Sequence, residues 1–286
     1  MFTLDCDRAY LYAHPERELT SDEIRRYDDA IVRRATGVPA QYITGHQEFW
    51  GLDFIVSPAV LIPRPETEHV VETVLELVGP ADSKQKQEPP IEVSAPHLAD
   101  GNSSAQLNGR GRPALHPLRI VDVGTGSGAI AIALAKALLS SEIHATDISV
   151  GALEVARANA ARHELSSRIQ FQQTDLLAGL PDGEFDFVVS NPPYVGESEE
   201  DQVQLEVRKF EPRQAVFAGS TGLEVIERLI PAAHQALRPG GWLVVEISGT
   251  IAGRVRSMLS NWVEVAITND LQGIPRVARA QKPTRG

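Results

Sequence analysis

The chain has 286 residues and a formal net charge of −11, and 42% of its residues are hydrophobic. This length allows one large or two smaller domains, and the acidity argues against a general nucleic-acid binder, which needs a basic face. The lone Cys6 excludes a disulfide framework and a cysteine-based zinc site. No apolar run is long enough for a transmembrane helix, and the acidic, polar N-terminus is unlike a signal peptide, so we expect a cytoplasmic protein.

Residues 1–47 are predicted to form a short helical domain that binds a partner. The segment Thr20–Glu23 has the pattern of a helix N-terminal capping box. Apolar side chains then recur at helical spacing: Ile24, Tyr27, Ile31 and Val32. This pattern predicts a helix that has one apolar face.

Residues 48–78 are predicted to form a β-hairpin and a connecting helix. Aromatic and β-branched residues surround Gly51, as expected for two short strands joined by a turn. Pro65 suits the first position of a helix. Residues 79–117 are rich in Pro, Ser and Gln and lack apolar periodicity, so we predict a flexible insertion.

From residue 118 to residue 286 the pattern alternates between strands and helices. Strands are predicted at 118–123, 142–148, 168–175, 184–190, 241–248, 262–270 and 275–281, and helices at 129–139, 151–163, 222–237 and 251–259. The 222–237 helix is predicted to end at Pro239-Gly240-Gly241. Alternating units of this kind predict an α/β fold with a mostly parallel sheet that is covered on both faces.

A glycine-rich loop follows the first of these strands and precedes a helix. Its candidate cofactor-binding residues are Asp122, Gly124, Thr125, Gly126, Ser127 and Gly128. Glycines let the backbone turn sharply and approach a ligand, and ligands bind at such strand ends in open α/β sheets. The same glycines also fit a dinucleotide fingerprint or a plain tight turn, so this loop alone does not identify the ligand.

Two carboxylates follow the next strands. Asp147 could accept hydrogen bonds from both hydroxyls of a ribose, in NAD or in S-adenosylmethionine alike, or it could cap the following helix. Asp175 could reach an adenine amino group or cap a turn.

The segment Ser190-Asn191-Pro192-Pro193-Tyr194 directly follows a predicted buried strand. Consecutive prolines remove two N–H donors, so carbonyl groups remain available to a ligand. The Asn191 side chain adds another carbonyl, and Tyr194 adds a flat ring. This combination predicts a clamp for a planar –NH2 group.

Together these motifs resemble the S-adenosylmethionine-dependent methyltransferases that act on planar nitrogen, and above all the peptide chain release factor glutamine methyltransferases (HemK family). The resemblance also rests on Gly37–Gly45, Glu48–Gly51, Leu61–Glu68 and Phe210–Arg213, and it covers the chain except 79–118. It implies a class I methyltransferase fold: a catalytic domain at 118–286 whose Rossmann-like seven-stranded sheet has one antiparallel strand, a small N-terminal helical domain and a β-hairpin linker.

The resemblance further implies methyl transfer from S-adenosyl-L-methionine, which becomes S-adenosyl-L-homocysteine, to the glutamine of the Gly-Gly-Gln motif in class 1 release factors. Carried over by position, Asn191, Pro192 and Tyr194 would be catalytic. Pro193 would help to hold the glutamine, and Leu176 and Asn191 would join the cofactor contacts. Leu176 stands where the family often has an aromatic residue. Asp7–Tyr12 resembles sequence that usually follows further helices, so either this start codon lies downstream of the true one or those helices are absent, and the N-terminal domain is expected to be short.

Several alternatives remain open at this stage. An adenine-amino methyltransferase acting on DNA or RNA would use the same clamp, but residues 1–78 carry seven arginines, no lysines and fourteen acidic residues. An NAD-dependent oxidoreductase would leave the Asn-Pro-Pro-Tyr segment unexplained, and a scaffold that keeps only the fold is disfavoured by the two motifs. We expect no metal site, no membrane or direct nucleic-acid partner, and a monomer.

A run of acidic residues follows the clamp and admits two interpretations. Its members are Glu197, Glu199, Glu200, Asp201, Glu206 and Glu211. It is either a solvated loop or an acidic lip that meets the basic surface of a release factor.

Overall fold

A computed structural model describes residues 3–4, 6–79 and 117–284. The predicted insertion at 79–117 lies outside the described residues except for its two end positions. None of the helices in the described ranges is long and apolar enough to cross a membrane.

The front part of the chain contains three helices, a hairpin and a connecting helix. These elements are α1 (Arg8–Ala13), α2 (Ser21–Ala35), α3 (Ala40–Thr44), β1 (His46–Phe49), β2 (Leu52–Ile55), a 3-10 turn (Pro65–Thr67) and α4 (Glu68–Val78). The capping box predicted at Thr20 is present, because Thr20 and Glu23 bond each other's backbone N–H groups. The apolar side chains of α2 are exposed, however: Ile24 by 46%, Tyr27 by 52% and Ile31 by 50%.

The remainder of the described chain alternates between strands and helices as predicted. Its elements are β3 (Arg119–Val123), α5 (Ala129–Ala137), β4 (Glu142–Asp147), α6 (Val150–Arg162), β5 (Ile169–Gln173), β6 (Phe185–Ser190), a 3-10 turn (Glu197–Gln202), α7 (Leu205–Phe210), α8 (Arg213–Val216), α9 (Glu224–Ala236), β7 (Leu237–Glu246), α10 (Ala252–Met258), β8 (Val263–Asn269) and β9 (Pro275–Gln281).

Two regions of the chain differ from the prediction. Helix α9 ends at Ala236 and β7 begins at Leu237, so the Pro-Gly-Gly segment lies inside the strand. Gly240 has a φ of 80° and the pairing of β6 with β7 shifts register between Phe185 and Phe187, which lets the strand continue through the segment. The acidic run after the clamp forms a 3-10 turn and part of α7 instead of a simple loop, and Glu206 and Glu211 in it form ion pairs with Arg34 and Arg64 of the front part.

The strands form one seven-stranded sheet in the order β5-β4-β3-β6-β7-β9-β8, in which β9 is the antiparallel strand. Alternate residues of each strand point to opposite faces. Ile120 and Val189 therefore join a core with α4 and α5, while Val121 and Val188 join a core with α9 and α10. The predicted α/β sheet with both faces covered, including its single antiparallel strand, is confirmed.

A buried asparagine connects the hairpin to the glycine-rich loop. Asn159 on α6 accepts a hydrogen bond from the Ile55 N–H at 2.7 Å and donates to the Ile55 and Ser127 carbonyls, both at 2.9 Å. Its side chain is fully buried. One amide therefore satisfies three backbone groups from two distant segments.

Replacing this residue tests that connection. Asn159→Leu should lower the free energy of unfolding by roughly 2–5 kcal/mol, because it leaves buried backbone groups without partners. Urea denaturation measures the change, and the exposed Asn261→Leu serves as a control expected to stay within about 0.5 kcal/mol of wild type. Equal stability of the two variants would contradict the assignment.

Candidate active site

Strand register brings the predicted motifs together at one edge of the sheet. Val123 at the end of β3 pairs with Thr146 on β4 and with Ser190 on β6. The residues that follow these positions, Gly124, Asp147 and Asn191, therefore lie side by side. This is also where the strand order reverses, which is the usual ligand position in open α/β sheets.

A cavity of about 370 Å³ opens at this edge, within the range of roughly 300–1,000 Å³ found for small-molecule sites. Ten of the predicted site residues line it: Gly124, Thr125, Gly126, Ser127, Asp147, Asp175, Leu176, Asn191, Pro192 and Pro193. The other three, Asp122, Gly128 and Tyr194, are not on its wall.

The glycine-rich loop turns through left-handed backbone conformations. Gly124, Gly126 and Gly128 have φ values of 70°, 56° and 83°. A Cβ atom on Gly124 would meet nothing within 4 Å, so the backbone there borders open space. A Cβ atom on Gly128 would instead lie 3.1 Å from Ile132 and 3.3 Å from Ala156. Gly128 therefore permits the close approach of α5 and α6 and does not form part of the cavity wall.

The carboxylate of Asp147 is held by backbone donors. It accepts hydrogen bonds from the N–H groups of Gly126 and Ser149, both at 2.9 Å. The two bonds fix its plane at the cavity wall and leave further lone pairs for hydroxyl donors. Next to it, Ile148 lines the cavity and is 59% exposed, so an apolar surface adjoins the carboxylate.

Asp175 and Leu176, which follow β5, also line the cavity. Asp175 forms an ion pair with Arg228, which also lines the cavity. Leu176 has a φ of 54°, which is uncommon for a residue other than glycine. Thr146 holds this conformation by donating a hydrogen bond from Oγ1 to the Leu176 carbonyl at 2.9 Å.

Two acceptor atoms of the Asn-Pro-Pro-Tyr segment remain available at the cavity. The Asn191 Nδ2 donates to Thr67 Oγ1 at 2.9 Å, whereas its Oδ1 accepts no hydrogen bond from the described residues. The Pro192 carbonyl likewise accepts none from this part of the chain. A planar –NH2 group could therefore donate one hydrogen to each.

Tyr194 is directed away from the cavity, into the core beneath it. Its hydroxyl donates a hydrogen bond to Oε1 of Glu246 at 3.0 Å, and burial raises the Tyr194 pKa well above its ordinary value. Gly222 packs so closely on this segment that a Cβ atom there would lie 2.5 Å from the Tyr194 carbonyl oxygen. The tyrosine thus anchors the segment from below.

Glu246 is a buried carboxylate with 1% exposure. Burial raises its pKa, whereas the hydroxyl groups of Thr67 and Tyr194 oppose this shift. Only the Tyr194 hydroxyl makes a hydrogen bond to it, and Oε2 has no partner among the described residues.

Sequence reasoning missed four residues of this site: Thr67, Ile148, Arg228 and Glu246. Thr67 belongs to the Pro-Arg-Pro-Glu-Thr-Glu segment, which was noted as a whole without a role for its hydroxyl. Ile148 directly follows Asp147, so its position was available from the strand pattern. Arg228 and Glu246 had no local signal, because only the fold brings them to the site.

The acidic run is largely paired within the protein. Arg213 forms a bidentate pair with Glu200 at 2.9 and 3.1 Å. Glu211 is buried, binds Arg64 and accepts the Ile62 N–H at 3.1 Å. Its inclusion in a solvent-facing acidic lip was wrong, because it secures residues 56–78, the connecting segment that links β2 to the end of α4. Among the described residues, no group of three or more His, Cys, Asp or Glu side chains could hold a metal ion.

Comparisons with known proteins add to this geometry. Residues 112–209 match the methyltransferase small domain, and residues 1–45 match the PrmC N-terminal domain. A release factor glutamine methyltransferase of Koribacter versatilis is 49% identical over 99% of this chain and 89% of its own length. One from Rhodopirellula baltica is 35% identical over 97% and 85%.

A solved structure is similar over nearly the whole fold. The hMettl16 catalytic domain, crystallised with the MAT2A 3'UTR hairpin 6, aligns with a TM-score of 0.57 over 99% of this chain and 94% of its own, at 17% identity. At that identity the likeness concerns the fold alone.

Asp122 lies beneath the glycine-rich loop and is fully buried. Its Oδ2 accepts hydrogen bonds from Thr125 Oγ1 at 2.6 Å and from the Ala131 N–H at 3.2 Å, and Oδ1 has no partner among the described residues. Burial raises its pKa to about 7. The carboxyl therefore supports the loop from below as a neutral group over much of the acidic range.

This raised pKa predicts a pH effect on stability. Between about pH 4 and pH 7 the unfolded chain ionises Asp122 while the folded protein keeps it protonated, so the folded state loses stability as pH rises. Asp122→Asn removes this loss. The free energy of unfolding of the variant, relative to that of wild type, should therefore increase with pH by up to about 4 kcal/mol across that range. Urea denaturation at several pH values measures this difference. Parallel curves would contradict the prediction, and the exposed Asp182→Asn is the matched control.

Proposed function

Because the chain belongs to the release factor glutamine methyltransferases, we propose that it transfers a methyl group from S-adenosyl-L-methionine to a glutamine side chain. The glutamine is that of the Gly-Gly-Gln motif in class 1 peptide chain release factors. The observation that carries the proposal is the pair of available acceptors, Asn191 Oδ1 and the Pro192 carbonyl, beside a glycine-rich loop.

The cavity has the chemistry that S-adenosyl-L-methionine requires. The Asp147 carboxylate suits the two ribose hydroxyls, and Ile148 and Leu176 offer apolar surface for the adenine ring. Asp175 would accept from the adenine amino group through the oxygen that does not bind Arg228. Thr125, Ser127 and the open space at Gly124 leave room for the remainder of the molecule.

Bound S-adenosyl-L-methionine supplies a methyl group activated by its sulfonium sulfur. An amide nitrogen is a weak nucleophile because its lone pair is delocalised into the carbonyl. Asn191 Oδ1 and the Pro192 carbonyl would accept its two hydrogens, which favours a more pyramidal and electron-rich nitrogen. Pro193 would contribute to the rigid wall, and Tyr194 would hold the segment in place, so that orientation supplies much of the rate. The proton released from nitrogen passes to water.

The front part of the chain offers a surface for the release factor. Ile24, Tyr27 and Ile31 form an exposed apolar face on α2. Arg34 of α2 forms an ion pair with Glu206 of α7 at 2.7 Å, which joins this helix to the acidic run beyond the clamp. An apolar face beside exposed carboxylates suits a partner that presents both apolar and basic groups.

One assay tests the proposed activity. The protein is incubated with methyl-labelled S-adenosyl-L-methionine and, separately, with release factor, DNA or RNA. Label should appear in the tryptic peptide that contains Gly-Gly-Gln. Asn191→Ala should reduce the rate roughly 100-fold or more, because loss of one well-placed acceptor costs about 2.7–4 kcal/mol in comparable sites.

A release factor whose motif glutamine is replaced by glutamate serves as the negative control. Label in nucleic acid would overturn the proposed substrate. Near-normal turnover by Asn191→Ala, with cofactor binding intact, would overturn the role of the asparagine.

Gly124 provides a test of cofactor binding that does not depend on turnover. Gly124→Ala places a methyl group in the open space at the cavity wall and strains a left-handed backbone position by about 1–2 kcal/mol. The dissociation constant for S-adenosyl-L-methionine, measured by calorimetry, should rise by roughly tenfold or more. The exposed Gly253→Ala on α10 is the control and should bind normally; equal affinity of both variants would contradict the assignment.

A further inference from the structure

A single hydroxyl group joins the connecting segment to the clamp. Thr67 ends the 3-10 turn that precedes α4, lines the cavity, and is nevertheless buried. Its Oγ1 accepts a hydrogen bond from Asn191 Nδ2 at 2.9 Å, across 124 residues of sequence. No other described side chain bonds the Asn191 amide.

The orientation of the Asn191 amide decides whether the clamp can work. With Oδ1 toward the cavity, the side chain accepts a hydrogen from a substrate amide. Rotated by half a turn, it would present its own NH2 group, which repels the same substrate. The oxygen and nitrogen ends have nearly the same shape, so only hydrogen bonding can select one of them.

Thr67 can select the orientation because its hydroxyl oxygen accepts a hydrogen bond from one end of the amide. A threonine oxygen can accept from an N–H group, and Thr67 Oγ1 accepts from Asn191 Nδ2. This bond holds the NH2 end of the amide at Thr67. The Oδ1 end is then left at the cavity, where no described residue bonds it.

We propose that Thr67 is a positioning residue for the methyl-acceptor site, which holds the Asn191 amide with Oδ1 toward the substrate nitrogen. This inference rests on the proposed function and deepens it. Thr67 holds the asparagine of the clamp, while Glu246 anchors its tyrosine through the Tyr194 hydroxyl. The connecting segment, outside the predicted catalytic part of the chain, thereby supplies a component of the clamp.

Three threonine variants test the proposal. Thr67→Val keeps the shape but removes the acceptor, and Thr67→Ser keeps the hydroxyl. Thr73→Val is the matched control, since Thr73 is also buried on this segment but donates to the His69 carbonyl within α4. The measurements are kcat and KM for release factor methylation, the S-adenosyl-L-methionine dissociation constant, and the melting temperature.

Thr67→Val should lower kcat roughly tenfold or more, with cofactor affinity and melting temperature close to those of Thr73→Val. Thr67→Ser should retain most of the wild-type kcat. A merely structural role would lower melting temperature or cofactor affinity together with kcat, and a serine would not selectively rescue the rate. Equal kcat in Thr67→Val and Thr73→Val would overturn the proposal.

A double-mutant cycle shows whether Thr67 acts through Asn191. In an Asn191→Ala background, Thr67→Val should change kcat by less than about twofold, because the group it positions is gone. A full tenfold loss in that background would overturn the inference. The proposed function fails differently: wild-type protein would then place no label in the release factor at all, so the two failures are distinguishable.

Discussion

The pairing of β3 with β6 is the constraint on which the site depends. Val123 and Ser190 are register partners, and Ser190 Oγ donates to the Val123 carbonyl at 2.7 Å where both strands end. This buried bond holds the glycine-rich loop and the Asn-Pro-Pro-Tyr segment at adjacent positions. A shift of one residue would send every side chain of the strand to the other face of the sheet. The geometry of methyl donor and methyl acceptor is therefore set by strand register rather than by the loops themselves.

Buried polar side chains then join the front part of the chain to this edge. Asn159 bonds the hairpin to the glycine-rich loop, Glu211 binds Ile62 and Arg64, and Thr67 contacts Asn191. Each would be costly to leave unpaired in the interior. These contacts with the front part span 104, 149 and 124 residues. The hairpin and connecting helix are therefore fixed against the catalytic part of the chain and take part in forming the site.

Much of this arrangement could be predicted from local sequence. The strand and helix pattern, the glycine-rich loop and the Asn-Pro-Pro-Tyr segment all have short-range signatures, and the structure brings them together. The position of the Tyr194 ring could not be predicted, because it depends on Glu246, which lies 52 residues further along the chain. The left-handed Leu176 and the burial of Glu211 also follow from tertiary contacts. Such features are decided by which distant groups need partners, and no local pattern records that need.

The site therefore combines a rigid polar foundation with a few unpaired acceptors. Asp122 supports the glycine-rich loop from beneath, and Glu246 supports the Asn-Pro-Pro-Tyr segment through Tyr194. Neither carboxyl group lines the cavity, and burial raises the pKa of both. Burying these two carboxyl groups lowers the stability of the fold. This is consistent with a role in orienting the loop and the Asn-Pro-Pro-Tyr segment, since groups that are already oriented need not rearrange when a substrate binds. Asn191 Oδ1 and the Pro192 carbonyl can remain free at the surface of the cavity because other bonds hold their segment: Asn191 Nδ2 binds Thr67, and the Tyr194 hydroxyl binds Glu246.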